Sequence, residues 1–113
     1  MDNKTVLEQA NLAVSKGDND GFLSFCTEDT KWTFVGDQIL NGKEAVRKYI
    51  GEAYVEPPQF DVEALIAEGD FVTAMGKISM KNEQGLLVNY EYCDVWRFRN
   101  GKMAELKAFV IEI

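Results

Sequence analysis

A lone carboxylate on an otherwise apolar strand face is the residue in this chain best placed to do chemistry. Between Leu86 and Arg99 a period of two sorts the side chains onto two faces. One face carries Leu86, Val88, Tyr90, Tyr92, Asp94, Trp96 and Phe98, and the other carries Leu87, Asn89, Glu91, Cys93, Val95, Arg97 and Arg99. Asp94 is the only formal charge on the first, more apolar face. A carboxylate there must be ion-paired, hydrogen-bonded or driven towards its protonated form by desolvation. As a site residue it can serve as a general acid or as a neutral hydrogen-bond donor to a carbonyl oxygen. As a structural residue it can bond to a buried hydroxyl, pair with an arginine or sit at a wet mouth. Spacing alone leaves these readings open.

The companions of Asp94 are aromatic. Tyr90, Tyr92 and Trp96 share its face, Trp32 and Phe34 share a face of an earlier strand, and Tyr49 lies on the apolar stripe of a helix. All six are read as the lining of a ligand pocket, with ordinary core packing as the competing account. A buried Tyr49 hydroxyl needs a partner, which makes that residue a candidate support for Asp94. Asp37, in the loop after the earlier strand, is a further candidate that serves equally well as a turn residue. Glu105 and Lys107 alternate with Leu106 and Ala108 and read as a solvated sheet face.

Other chemistries are excluded by what the chain lacks. It has 113 residues and no histidine, which removes imidazole-based triads and imidazole-based zinc or iron sites. No metal and no cofactor are expected. The two cysteines, Cys26 and Cys93, each lie within an apolar segment and fit reduced core thiols better than a metal pair, with a bridge between them left open. With 12 basic and 19 acidic side chains the net charge is -7, a field that repels phosphate backbones and anionic lipid. Neither nucleic acid nor membrane is therefore expected as a partner. The N-terminal segment lacks an apolar signal-peptide core, and no run approaches the roughly 20 apolar residues that span a bilayer. A cytoplasmic location follows as the expectation.

The elements that must position these residues read as an α+β domain over residues 1–113. Val6, Leu7, Ala10, Ala13 and Val14 form the stripe of a helix over 5–16, which Gly17 closes. Asp18, Asn19 or Asp20 caps a short second helix containing Phe22, Leu23, Phe25 and Cys26. A strand at 31–35 ends at Gly36-Asp37. Asn41-Gly42-Lys43-Glu44 reads as a capping box for a third helix that Pro57-Pro58 terminates. From Phe60 onward alternation predicts four strands, 60–66, 71–80, 86–99 and 103–113, with turns at Gly69-Asp70, Asn82–Gly85 and Asn100-Gly101.

Several motifs together resemble a known family. Gly17-Asp18 before a helix, Thr27-Glu28-Asp29, Gly42-Lys43-Glu44-Ala45-Val46 and Asp94-Val95-Trp96-Arg97-Phe98-Arg99-Asn100-Gly101-Lys102 are similar to segments of the NTF2-like superfamily. The nearest branch is that of ketosteroid-isomerase-related, polyketide-cyclase-like (SnoaL-like) proteins, and the resemblance covers nearly the whole chain. It implies a cone of three N-terminal helices packed in a strongly curved antiparallel sheet, a ligand cavity at the open end and a homodimer across the sheet. It also implies that Asp94 occupies the place of a protonated aspartic acid that donates to a developing enolate. The family's general-base aspartate falls on Thr33 and its first-helix tyrosine on Ala10. A threonine hydroxyl is a poor base and alanine has no donor.

The sequence thus leads to a domain that binds a small apolar or aromatic molecule. The alternatives are a cofactor-independent isomerase, cyclase or lyase that uses Asp94 on a small carbonyl compound, and a dimerising accessory domain without a ligand.

Overall fold

Asp2 opens the first helix, its side chain accepting the Thr5 amide at 2.8 Å. In the computed structural model, which describes residues 1–113, helix α1 (Asn3–Ser15) is followed by a short α2 (Asn19–Leu23), and Asp18 caps α2 by accepting from the Gly21 amide at 2.9 Å. Gly17, at φ 82°, makes the left-handed turn between them. Strand β1 (Cys26–Phe34) leads through a tight turn into β2 (Gln38–Asn41), and α3 (Lys43–Ala53) then precedes the meander β3 (Gln59–Glu68), β4 (Phe71–Lys81), β5 (Leu87–Arg99) and β6 (Lys102–Glu112).

The six strands form one sheet in the order β2-β1-β6-β5-β4-β3. The expected strongly curved antiparallel cone is corrected on two counts. The sheet is mixed, because β1 lies parallel to β6, with Trp32 opposite Leu106 and Phe34 opposite Ala108. It is also open, because β2 and β3 end it on opposite sides without meeting. The meander fixes the direction of β6. Strand β1 takes the free edge of β6, in a register that puts Trp32 and Phe34 on the same face as Leu106 and Ala108. The helices are not all N-terminal either, since α3 follows two strands.

Two local expectations are corrected as well. Cys26 begins β1 instead of ending the second helix, and it is fully buried. The capping box does not form. Asn41 is held extended opposite Lys31, Gly42 takes the cap position at φ 91° with no side-chain cap, and Glu44 pairs with Arg47 at 3.3 Å.

Between sheet and helices lies a single core containing Leu7, Val14, Leu23, Val46, Ile50, Trp96 and Phe98. Helix α1 crosses β3, β4 and β6, while α3 covers β1 and β2. The division leaves unfilled space above the middle of β5. No helix is long and apolar enough to cross a membrane.

Candidate functional site

The unfilled space is a cavity of about 290 Å³. Trp32 and Phe34 reach it from β1, Tyr49 from α3, and Tyr90, Tyr92, Asp94 and Trp96 from β5, and Asp37 lies on its wall. The structure therefore brings all eight of these candidate residues to one cavity. Of the lining residues only Asn11, Asp37 and Asp94 are neither apolar nor aromatic, and none is cationic.

The aromatic wall is a connected cluster. Trp32 meets Trp96 edge-on at a centroid separation of 5.7 Å and Phe22 at 5.8 Å, and Phe34 lies 5.0 Å from Tyr49. Such contacts hold the rings in fixed orientations and keep the wall from collapsing inward.

Asp94 sits between Ala74 on β4 and Ala108 on β6, its direct cross-strand neighbours. Both alanines are buried, and their small side chains leave the carboxyl uncovered on its own face. Asp94 itself is part-buried. Burial alone raises its pKa from the usual 3.8 to about 7, with no hydrogen bond or neighbouring cation to offset the loss of solvation. Near neutrality the group is thus both a donor and an acceptor.

The phenols of Tyr49, Tyr54 and Tyr92 remain protonated. Tyr92 is pushed up to about 12, first by burial and then by the charge of Asp94. Tyr49 is raised by burial, then by Asp37 and Tyr90. Tyr54 is raised well above the ordinary phenol range, first by burial and then by the charges of Tyr49 and Asp94. The phenols that feel the Asp94 charge are therefore Tyr54 and Tyr92, while Tyr49 feels that of Asp37. In the wall, Trp32 Nε1 and Tyr92 Oη are buried without a hydrogen-bond partner.

Asn11, Tyr54 and Phe60 also line the cavity and were not singled out in the sequence. Two of them continue stripes already visible there: Leu7, Asn11 and Val14 along the first helix, and Val46, Ile50 and Tyr54 along the third. A polar residue inside an apolar stripe was the available signal for Asn11.

Cys26 and Cys93 are both free thiols, the first buried and the second part-exposed. Burial pushes the Cys26 thiol to about 12, which keeps it inert. No group of three or more metal-ligating side chains comes together in a way that could hold an ion.

A family model described as a SnoaL-like domain matches residues 7–106. No curated protein is detectably similar in sequence. Among solved structures, the chain is similar to SalBIII, an epoxide hydrolase/cyclase-like enzyme with a role in pyran ring formation in the polyether salinomycin, at 22% identity and a TM-score of 0.88, with 96% of this chain and 89% of that one covered. It is also similar to TerC co-crystallised with polyporic acid, at 15% identity and a TM-score of 0.80, covering 95% and 89% of the two chains. An NTF2-like protein of unknown function from Burkholderia pseudomallei K96243 matches at 18% identity and a TM-score of 0.82, covering 96% and 90%. At these identities the likeness is one of fold. The match over residues 7–106 makes the chain a member of the SnoaL-like domain family, and its mixed sheet with three helices and an apolar cavity has the fold of the NTF2-like structures.

Proposed function

We propose that this domain binds a small, largely apolar, uncharged molecule through an oxygen that accepts a hydrogen bond from Asp94. The observation that carries this reading is an unpartnered carboxyl, raised to about 7 by burial, in a cavity whose other walls are mostly aromatic. An anionic ligand is disfavoured, because no cation lines the space and two carboxylates do. The cavity volume of about 290 Å³ suits a molecule of one or two rings.

Acetophenone is a suitable probe, followed by quenching of Trp32 and Trp96 fluorescence. Wild-type protein should bind it more tightly at pH 6 than at pH 8. Asp94→Asn keeps a donor and should remove the pH dependence, and Asp94→Leu should lose at least tenfold in affinity. Binding indifferent both to pH and to Asp94→Leu overturns the reading.

A second reading, cofactor-independent isomerisation, cyclisation or lysis of a carbonyl compound, is favoured by one specific observation. An acid whose pKa lies near the working pH is best poised to give and retrieve a proton. The similarity to SalBIII is in keeping with such chemistry. Under this reading Asp94→Asn still binds the substrate but does not turn it over. Retained turnover removes Asp94 from the mechanism. Self-association across the outer face of the sheet belongs to the same proposal, since Met75, Phe109 and Ile111 are exposed there. A monomer by light scattering contradicts that part.

A further inference from the structure

A second depression, of about 500 Å³, runs between α1 and β3 beside the cavity. Leu12, Val62, Ala64 and Leu65 line its apolar part, and Glu8, Ser15, Gln59 and Glu63 its polar part. Asn11 and Phe60 belong to both spaces, so these two side chains form the partition between them. Phe60 is itself seated edge-on against Tyr92 at a centroid distance of 6.3 Å, which ties the partition to the strand that carries Asp94.

Two features show that the groove is built into the fold. The register of β3 against β4 shifts between Val62 and Ala64, an irregularity of the kind that bends a strand. Opposite the shift lies Gly76, where any Cβ would collide with the backbone carbonyl of Asp61. The second feature is exposed apolar surface. Leu12 is 47% and Val62 41% exposed, on elements whose Leu7, Val14, Phe60 and Leu65 pack against the core.

We propose that this groove is a second subsite, which receives the flexible apolar tail of the molecule whose oxygen-bearing head lies at Asp94. The inference rests on the binding function proposed above. The tail passes between Asn11 and Phe60 and lies over Leu12 and Val62. Glu8 and Glu63 are the charged groups along it, with no lysine or arginine in either space, so the tail ends in an alkyl, hydroxyl or amide group and not in a carboxylate. The ligand class is thus a neutral ring ketone or similar compound carrying an extended aliphatic chain.

Calorimetry at pH 6 with acetophenones bearing para-alkyl chains of one to eight carbons tests this. Each methylene that enters the groove should tighten binding by about fourfold, and the gain should persist to the longest chains. Leu12→Glu alters an exposed helix position that does not line the head cavity. It should leave para-methylacetophenone binding unchanged and abolish the gain for the longer chains. A chain ending in carboxylate should bind at least tenfold more weakly than the same chain ending in hydroxyl.

A gain that stops after the first carbons in the wild type, or a Leu12→Glu protein that keeps the full gain, overturns the subsite and leaves the head site standing. Failure of every member to bind overturns both.

Discussion

The two faces of β5 carry the same kinds of residue to opposite ends. On the outer face Arg97 meets Glu105 directly across the strand pair, its Nε 3.3 Å from the carboxylate, and both groups keep contact with water. Charge there is neutralised by a neighbour and by solvent, so it contributes little. On the inner face, three residues away, Asp94 has alanines on either side and no partner of opposite charge. Removing solvent without supplying a partner leaves one outlet, which is to hold the proton to higher pH. The difference shows that the surroundings of a carboxylate decide whether it stays a solvated charge or holds its proton to higher pH. Side-chain period along one strand puts the two on different faces, and the alanines on either side of Asp94 supply the difference in surroundings.

The comparison can be broken most strongly by truncating the inner wall. Trp96 is 4% exposed and packed against Trp32, so Trp96→Ala should cost roughly 3–5 kcal/mol in urea unfolding. A loss below 1 kcal/mol would mean that the wall is not the packed core described.

Next in size is the effect of pH. The folded state holds the Asp94 proton to about 7 and the unfolded state only to its ordinary value of 3.8. The stability gained from that proton is full below pH 4 and is lost as pH rises to 7. The upper limit is about 4 kcal/mol, reduced by the group's residual exposure. Asp94→Asn should flatten the profile in this window and make the protein more stable than wild type at pH 8. The lowered acids Asp2 and Asp29 titrate below their usual range and do not enter this window.

A smaller contrast lies in the thiols. In protein diluted to the monomer, a maleimide should label Cys93, which lies between Met75 and Phe109 on the outer face, and spare Cys26 until the chain unfolds, and equal rates would place both on one footing. Smallest of all, Arg97→Ala should change stability by less than about 1 kcal/mol.

Most of the helix-covered face was legible in the sequence. Alternation from Leu87 to Arg99 placed Tyr90, Tyr92, Asp94 and Trp96 together, because one buried face makes register visible. The stripes of α1 and α3 were equally plain. Strand β2 was not, since Gln38 to Asn41 is too short for periodicity and only Leu40 of its four residues is not exposed. The polar start of β1, Thr27 to Asp29, likewise hides a strand that β6, more than seventy residues away, holds at Cys26 and from Lys31 onward. The parallel β1–β6 pair is a non-local choice with no local signature, and the antiparallel cone was an expectation taken from the family resemblance. Tyr54 continues the Val46–Ile50 stripe, but nothing in that spacing marks it as cavity wall instead of core. The partition between cavity and groove depends on how Asn11 and Phe60, far apart in sequence, come to share a wall.

The account turns on the protonation of one carboxyl, and the most direct test is the carbon-13 chemical shift of the Asp94 side-chain carboxyl followed through a pH titration of the native protein. A midpoint near 7 is predicted. A midpoint near the ordinary 3.8 would contradict it, because Asp94 would then be a solvated charge with no reason to face the cavity.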